Sequence, residues 1–290
     1  MSWRVVIVTR IPQVLAGFDA VVRELGHETV AVLTIRDGAK PGDPTAQLVF
    51  GAPEGLDVLL PARRSSIAPL LASLQPDLVV CMGFPWKIPG DALAVPRLGW
   101  LNGHPSLLPR HRGPLPVAWA IRAGDDEVGI TFHLMDAELD TGPVLAQRSF
   151  PLGEPEVPDV FYGRFGPVIG ETLGEALERL AAGEAGTPQE EGGGYESFFS
   201  EEDAWLDLSR PAFEVHRLVW AWLHAFSPSG ARGALLELDG TPVRVLATSL
   251  SEVEGARRVE CGDGPLWLVE TEDLSEEEAS RSSAAAPSMH

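Results

Sequence analysis

The chain alternates short, almost wholly apolar runs with longer stretches in which apolar residues recur every three or four positions. Residues 3–9 (WRVVIVT) form the first apolar run and predict a strand buried on both faces. Val14, Leu15, Phe18, Val21, Val22 and Leu25 follow at helical spacing and predict a helix over 13–25. ETVAVLTI (28–35) and LDVLL (56–60) read as further strands, separated by a Gly- and Pro-rich stretch that reads as a long loop. IAPLLASL then predicts a helix, with Ser65 or Ser66 as its cap. PDLVVCMGF (76–84) and LGWLNGHPS (98–106) are two more buried strands.

Strand–helix alternation with apolar strands predicts an α/β fold: a doubly wound, mostly parallel sheet covered on both faces. EVGITFHLMD (127–136) and GPVLAQRSFPL (142–152) are joined by only a few residues, which suits an antiparallel pair on the same sheet. A helix over about 157–182 closes this region at Gly183. The domain boundaries expected are therefore 1–183 for the larger domain, 184–203 for a Gly/Glu/Pro-rich linker, and 204–270 for a small β-rich domain. In that domain PAFEVHRLVWAWL (211–223) reads as a helix, and residues 234–250 as a hairpin turning at Asp239-Gly240. From 271 to 290 the composition is that of a disordered tail.

Charge narrows the class of partner. The chain carries 22 Lys+Arg against 42 Asp+Glu, a formal net charge of -20, and lysine occurs only at Lys40 and Lys87. Such a chain is poorly suited to polyanions, since phosphate contacts supply much of nucleic-acid affinity. The two cysteines, Cys81 and Cys261, form no CxxC pair, so neither a cysteine zinc site nor a disulfide framework is expected, and a cytoplasmic setting fits. No apolar run approaches the ~20 residues that cross a bilayer, so no membrane partner is expected. No feature sets an oligomeric state.

The first strand is followed by Thr9-Arg10-Ile11-Pro12 instead of GxGxxG, and GxxxxGK[ST] is absent. Dinucleotide and P-loop chemistry are thereby excluded, and the ligand must be held another way. Chemistry concentrates in residues 101–147. Asn102 and His104 stand two apart at the carboxyl end of a strand and point to the same side if extended, where ligands of open parallel sheets bind. Pro105 and Pro109 stiffen the loop that follows. Asp140 lies on the tight Leu139-Asp140-Thr141-Gly142 turn. An amide, an imidazole and a carboxylate on neighbouring strand ends suit acyl transfer: a donor to an oxyanion, a proton carrier and an orienting group. Each residue also has a plainer reading as a turn or structural residue. No metal spacing links His27, His111, His133, His216, His224 or His290, and these read as structural. Trp86 and Trp119 flank the pocket region and are candidates to line it.

Asn102-Gly103-His104-Pro105, Ser106-Leu107-Leu108-Pro109 and Asp140-Thr141-Gly142, in that order, resemble the folate-dependent formyltransferase family. Arg112-Gly113 after SLLP resembles the methionyl-tRNA and sugar-amine branch, and residues 195–219 resemble the linker and start of the C-terminal open-barrel domain of the methionyl-tRNA enzymes. Trp220 stands where that family helix often has arginine. The resemblance implies 10-formyltetrahydrofolate as co-substrate, no metal, and a formyl transfer to an amine. It implies catalytic roles for Asn102, His104 and Asp140. It also implies a pteridine crevice formed by Phe84, Trp86 and Ile88, by Pro105, Ser106, Leu107 and Leu108, and by Asp136 and Leu139. The acidity of 36–54 and 184–210, with Trp220, points to a small-molecule amine, such as an amino sugar, in place of methionyl-tRNA. Arg63, Arg64, Arg97, Arg110, Arg112 and Arg122 are the counterweight. A hydrolase releasing formate and a non-catalytic folate-binding module are the rival classes.

Overall fold

A computed structural model of the chain describes residues 2–35, 44–200, 202–225 and 233–274. Among these the strands form two sheets. The larger is built from β1 (Arg4–Val8), β2 (Glu28–Leu33), β3 (Asp57–Leu59), β4 (Leu78–Cys81), β5 (Trp100–His104), β6 (Glu127–Leu134) and β7 (Val144–Pro151). Their order is β3-β2-β1-β4-β5-β6-β7. The pairs β2–β3, β1–β2, β1–β4 and β4–β5 are parallel, and β6 runs antiparallel to β5. The expected doubly wound α/β sheet is present, with its turn of direction between β1 and β4.

Apolar runs become central strands because both their faces are covered. Val5, Val6, Ile7 and Val8 are fully buried. On one face Val6, Val8, Val79, Cys81 and Trp100 pack with Ile67 and Leu71 of α3 (Ile67–Leu74) and with Ala92 of α4 (Gly90–Leu93). On the other, Phe18 of α1 (Pro12–Glu24) meets Phe132 of β6, ring centroids 5.8 Å apart. The other helices are α2 (Pro44–Gly51), α5 (Pro116–Ala123), α6 (Pro158–Ala181) and α7 (Ala212–Leu223).

Several expectations change. The stretch read as a loop between β2 and β3 contains α2: Pro44 starts it, and Ala46-Gln47-Leu48-Val49-Phe50 carries enough apolar character to sustain two turns, with Leu48 buried. Residues 36–43 lie outside the described residues. Ser66 occupies the N-cap of α3, yet its side chain makes no cap bond, because a 3₁₀ turn at Arg64–Ser66 leads into the helix. α5 was not anticipated.

The second sheet is antiparallel and curled into a half-barrel, order β10-β11-β9-β8, with β8 (Ala234–Leu238), β9 (Thr241–Ser249), β10 (Arg257–Cys261) and β11 (Gly264–Asp273). Asp239 and Gly240 both have positive φ, 52° and 79°, as a two-residue hairpin turn requires. β11 extends into the region expected to be disordered: Thr271, Glu272 and Asp273 pair with Val245, Arg244 and Val243. Residues 275–290 lie outside the described residues.

By compactness the chain divides into two units. One comprises Met1–Arg112, Gly129–Phe150 and Gly163–Gly194; the other comprises Gly113–Val128, Pro151–Tyr162 and Tyr195–His290. In this division α5 and the segment 151–162 count with the C-terminal unit, where α5 packs on α7. No described helix is long and apolar enough to cross a membrane.

Candidate functional site

The site begins with β5. Trp100, Asn102 and His104 alternate onto one side of the strand, and the last two fall at its carboxyl end, beside the turn of direction in the sheet. Gly103 between them is dictated by packing: a Cβ there would lie 2.8 Å from the Phe132 ring. Gly142 closes the turn that carries Asp140, and a Cβ on it would sit 1.8 Å from the Leu134 carbonyl oxygen. Asp140 itself is left-handed, φ 59°.

His104 is buried, and its Nε2 lies 2.8 Å from the His111 carbonyl oxygen. A carbonyl only accepts, so Nε2 carries the proton and Nδ1 presents the lone pair. That Nδ1 is 3.6 Å from Asp140 Oδ1. The separation is too long for a hydrogen bond, yet short for Coulombic support of an imidazolium. The Asp140 carboxylate is itself mostly buried, 14% exposed.

A fourth residue completes the group. His133 stands opposite Asn102 in the antiparallel register of β5 and β6, with Nε2 3.1 Å from Asn102 Nδ2 and 3.9 Å from Asp140 Oδ1. Its Nδ1 lies 3.2 Å from the Leu134 carbonyl oxygen and must donate to it, so Nε2 accepts from the Asn102 amide. Burial, helped by the nearby His104, pushes the His133 imidazole down to about 4 against the pull of Asp140, which keeps it neutral at physiological pH. His133, read from the sequence as a structural residue, is thus placed in direct contact with Asn102. The signal was available in principle: two strands joined by a short turn place a residue opposite Asn102.

The SLLP loop is held from within. Thr131, fully buried on β6 opposite His104, donates to the Ser106 carbonyl at 2.7 Å and accepts from the Leu108 N–H at 3.2 Å. Gln147 donates to Thr131 Oγ1 at 2.7 Å and to the Leu108 carbonyl at 3.0 Å. Ser106 Oγ donates to the Arg110 carbonyl and the Ser106 N–H to the His104 carbonyl. Pro105, Leu107 and Pro109 are half-buried and Leu108 is buried.

Phe84 and Trp86 pack edge to face, 5.9 Å apart, beside buried Ile88. Asp136 Oδ1 accepts from the Glu138 N–H and the Thr141 hydroxyl, shaping the loop that carries the exposed Leu139 and leads to Asp140. Lys87 and Glu138, 3.6 Å apart, join this loop to residues 84–88. Cys81 lies beneath, its thiol pushed up to about 12 by burial and by Asp140, which makes it inert.

Trp119 packs within the C-terminal unit, against Phe199 and Arg122, with its indole N–H donating to the Ser197 carbonyl. His27 stacks on Trp3, His216 bonds Thr248 and His224 donates to the Glu156 carbonyl, all structural roles. His290 lies outside the described residues. Gln189 escaped sequence reading altogether, because its Gly- and Glu-rich surroundings read as a linker. Among the described residues no cluster of three or more His, Cys, Asp or Glu could hold a metal.

A family model described as formyl transferase matches residues 20–167. The chain is 33% identical over 274 residues to the methionyl-tRNA formyltransferase of Citrifermentans bemidjiense, covering 83% of this chain and 86% of that one. Among solved structures, a sugar N-formyltransferase from Shewanella superposes with a TM-score of 0.65 at 21% identity, over 87% of this chain and 99% of that one. HypX from Aquifex aeolicus in complex with tetrahydrofolic acid gives 0.66 at 21% identity, over 96% of this chain but only 45% of the other. These last two show likeness of fold. The chain belongs to the formyl transferase family, the folate-dependent group its motifs resemble, and is a formyl-transferring enzyme.

Proposed function

We propose that the enzyme transfers the formyl group of 10-formyltetrahydrofolate to a small-molecule amine, an amino sugar or a biosynthetic amine, at Asn102, His104, His133 and Asp140. The observation that carries the mechanism is the His104 tautomer. With Nε2–H committed to the His111 carbonyl, Nδ1 is the basic atom. The amine attacks the formyl carbon and its proton passes to Nδ1. Asp140, 3.6 Å away, supports the imidazolium so formed. Neutral His133 fixes the Asn102 amide by accepting one N–H, which leaves the second to donate to the oxyanion. Collapse breaks the bond between the formyl carbon and N10, and His104 returns its proton to that nitrogen.

In this reading the pteridine lies against Phe84, Trp86 and Ile88 and the loop from Asp136 to Leu139. The SLLP residues Pro105, Ser106, Leu107 and Leu108 supply a rigid wall, since the Ser106 and Leu108 backbone is engaged by the side chains of Thr131 and Gln147.

The choice of acceptor rests on charge. Of the arginines that would have to face phosphates, Arg97 pairs with Asp77 at 2.6 Å, Arg122 with Asp203 at 2.7 Å, and Arg112 donates to Gln189 at 2.7 Å. These cations are neutralised or occupied locally, and the net charge of -20 repels a polyanion while it steers a cationic amine. A second reading, methionyl-tRNA as acceptor, is favoured by one observation: the match to a methionyl-tRNA formyltransferase runs over most of both chains. The test is an acceptor screen with 10-formyltetrahydrofolate, read by the mass gain of one formyl group. An acceptor formylated by the wild type and lost in Asn102→Ala and His104→Ala, each down ~10²–10³-fold in rate, supports the reading. Full activity in His104→Ala refutes it, and formate release unaffected by any amine would make the enzyme a hydrolase.

A further inference from the structure

The Asp140 turn stands in the left-handed conformation, φ 59°, which residues other than glycine adopt only under constraint. It must also hold its carboxylate at one distance from His104 Nδ1. What holds it lies in a segment whose composition reads as flexible. Gln189 Nε2 donates to the Asp140 carbonyl at 3.0 Å and to the Gly142 carbonyl at 2.9 Å, so one amide brackets the turn on both sides. Arg112 Nη2 donates to Gln189 Oε1 at 2.7 Å. The amide orientation follows from chemistry, because arginine only donates and carbonyls only accept.

The segment is anchored at both ends. Thr187 exchanges two backbone bonds of 2.8 Å with Val144 at the start of β7. Gly193 lies so close to the SLLP loop that a Cβ on it would meet the Pro109 carbonyl oxygen at 1.8 Å. Arg112 Nη1 also reaches the Gly193 carbonyl, at 3.4 Å.

We propose that Gln189, oriented by Arg112, is a positioning residue: it clamps the Asp140 turn and so sets the carboxylate against His104. The inference rests on the catalytic reading above. Gln189 touches no reacting atom and acts through Asp140. It follows that residues 186–193 are a structural arm of the catalytic unit, and that Arg112 after SLLP serves that arm.

The test uses the full-length enzyme. Gln189→Glu keeps an acceptor for Arg112 but replaces the two N–H donors with a carboxylate oxygen facing two carbonyls, so the segment stays docked while the clamp fails. Gln189→Ala is the control that removes both. The expected result for Gln189→Glu is a loss in kcat of ~10–100-fold, with the KM for the folate donor within a few-fold of wild type. On an Asp140→Asn background the same substitution costs little more, because both act at one point. A crystal structure of Gln189→Glu should show the Asp140 carboxylate moved away from His104 Nδ1; this readout needs no acceptor. An unmoved Asp140, or a Gln189→Glu loss that adds in full to that of Asp140→Asn, overturns the proposal. Wild-type transfer with undiminished His104→Ala activity would instead overturn the catalytic reading itself.

Discussion

At the residue scale, the proposed mechanism depends on one imidazole staying neutral beside another that gains and loses a proton. His133 and His104 differ in what their ring nitrogens meet. His133 is committed at both, to the Leu134 carbonyl and the Asn102 amide, and burial holds its charge off. His104 is committed at Nε2, to the His111 carbonyl, and offers Nδ1 toward Asp140. His133→Gln should therefore be mild, because a glutamine oxygen still accepts from Asn102. His133→Leu should reduce kcat ~10-fold or more, because the Asn102 amide loses the partner that orients it. Steady-state kinetics of the two variants with unchanged far-UV circular dichroism check this; equal activity in both would remove His133 from the mechanism. That Asn102, His104 and Asp140 come together was legible in the sequence, because the motif falls at a strand end with the Asp140 turn beside it. His133 was not, because its 31-residue separation from Asn102 closes only in the antiparallel register.

At the scale of elements, β6 supports the site by more than His133. Thr131, one strand away from His104, gathers three hydrogen bonds that fix the SLLP loop. Thr131→Val keeps shape and leaves the Leu108 N–H, the Ser106 carbonyl and Gln147 short of a buried partner. It should lower stability by ~1–3 kcal/mol, read by chemical denaturation, and weaken folate binding more than kcat. An unchanged midpoint would show that the loop is held otherwise. The central strands β1, β4 and β5 were readable from apolar runs, since burial on both faces leaves no polar alternation to misread. α2 was hidden by its Gly- and Pro-rich flanks, and the arm bearing Gln189 by its Gly and Glu content; in both cases tertiary contacts outweigh local composition. Thr271–Asp273 pair with β9 despite acidic residues, because the ladder beyond the end of β10 needs only backbone partners.

At the scale of the molecule, charge and buried histidines set the response to pH and to partners. His27, His133, His216 and His224 are all lowered, chiefly by burial. An imidazole with a depressed folded value takes its proton more readily when unfolded. The stability it lends is full above the ordinary imidazole value of 6.5 and is lost as pH falls below it, for His133 down to about 4. Asp77 and Asp203, held low against burial by their bonds to Arg4 and Arg97 and to Ser200 and Arg122, extend the loss to still lower pH. Urea denaturation should show stability falling from about pH 7.5 to about pH 5, and His133→Gln should recover ~2 kcal/mol of that fall. A flat profile in the wild type would contradict a neutral, buried His133 and the lowered values of the half-buried His27, His216 and His224.

The same net charge of -20 separates the two acceptors most directly in a single competition assay. The enzyme, 10-formyltetrahydrofolate, a small amine found in the screen and methionine-charged initiator tRNA are combined at several salt concentrations. Both formylated products are then quantified. The expected result is formylation of the small amine, with weak tRNA binding whose salt dependence is shallow because few phosphates are contacted. Rapid formylation of the charged tRNA, with binding that falls steeply as salt rises, would contradict it.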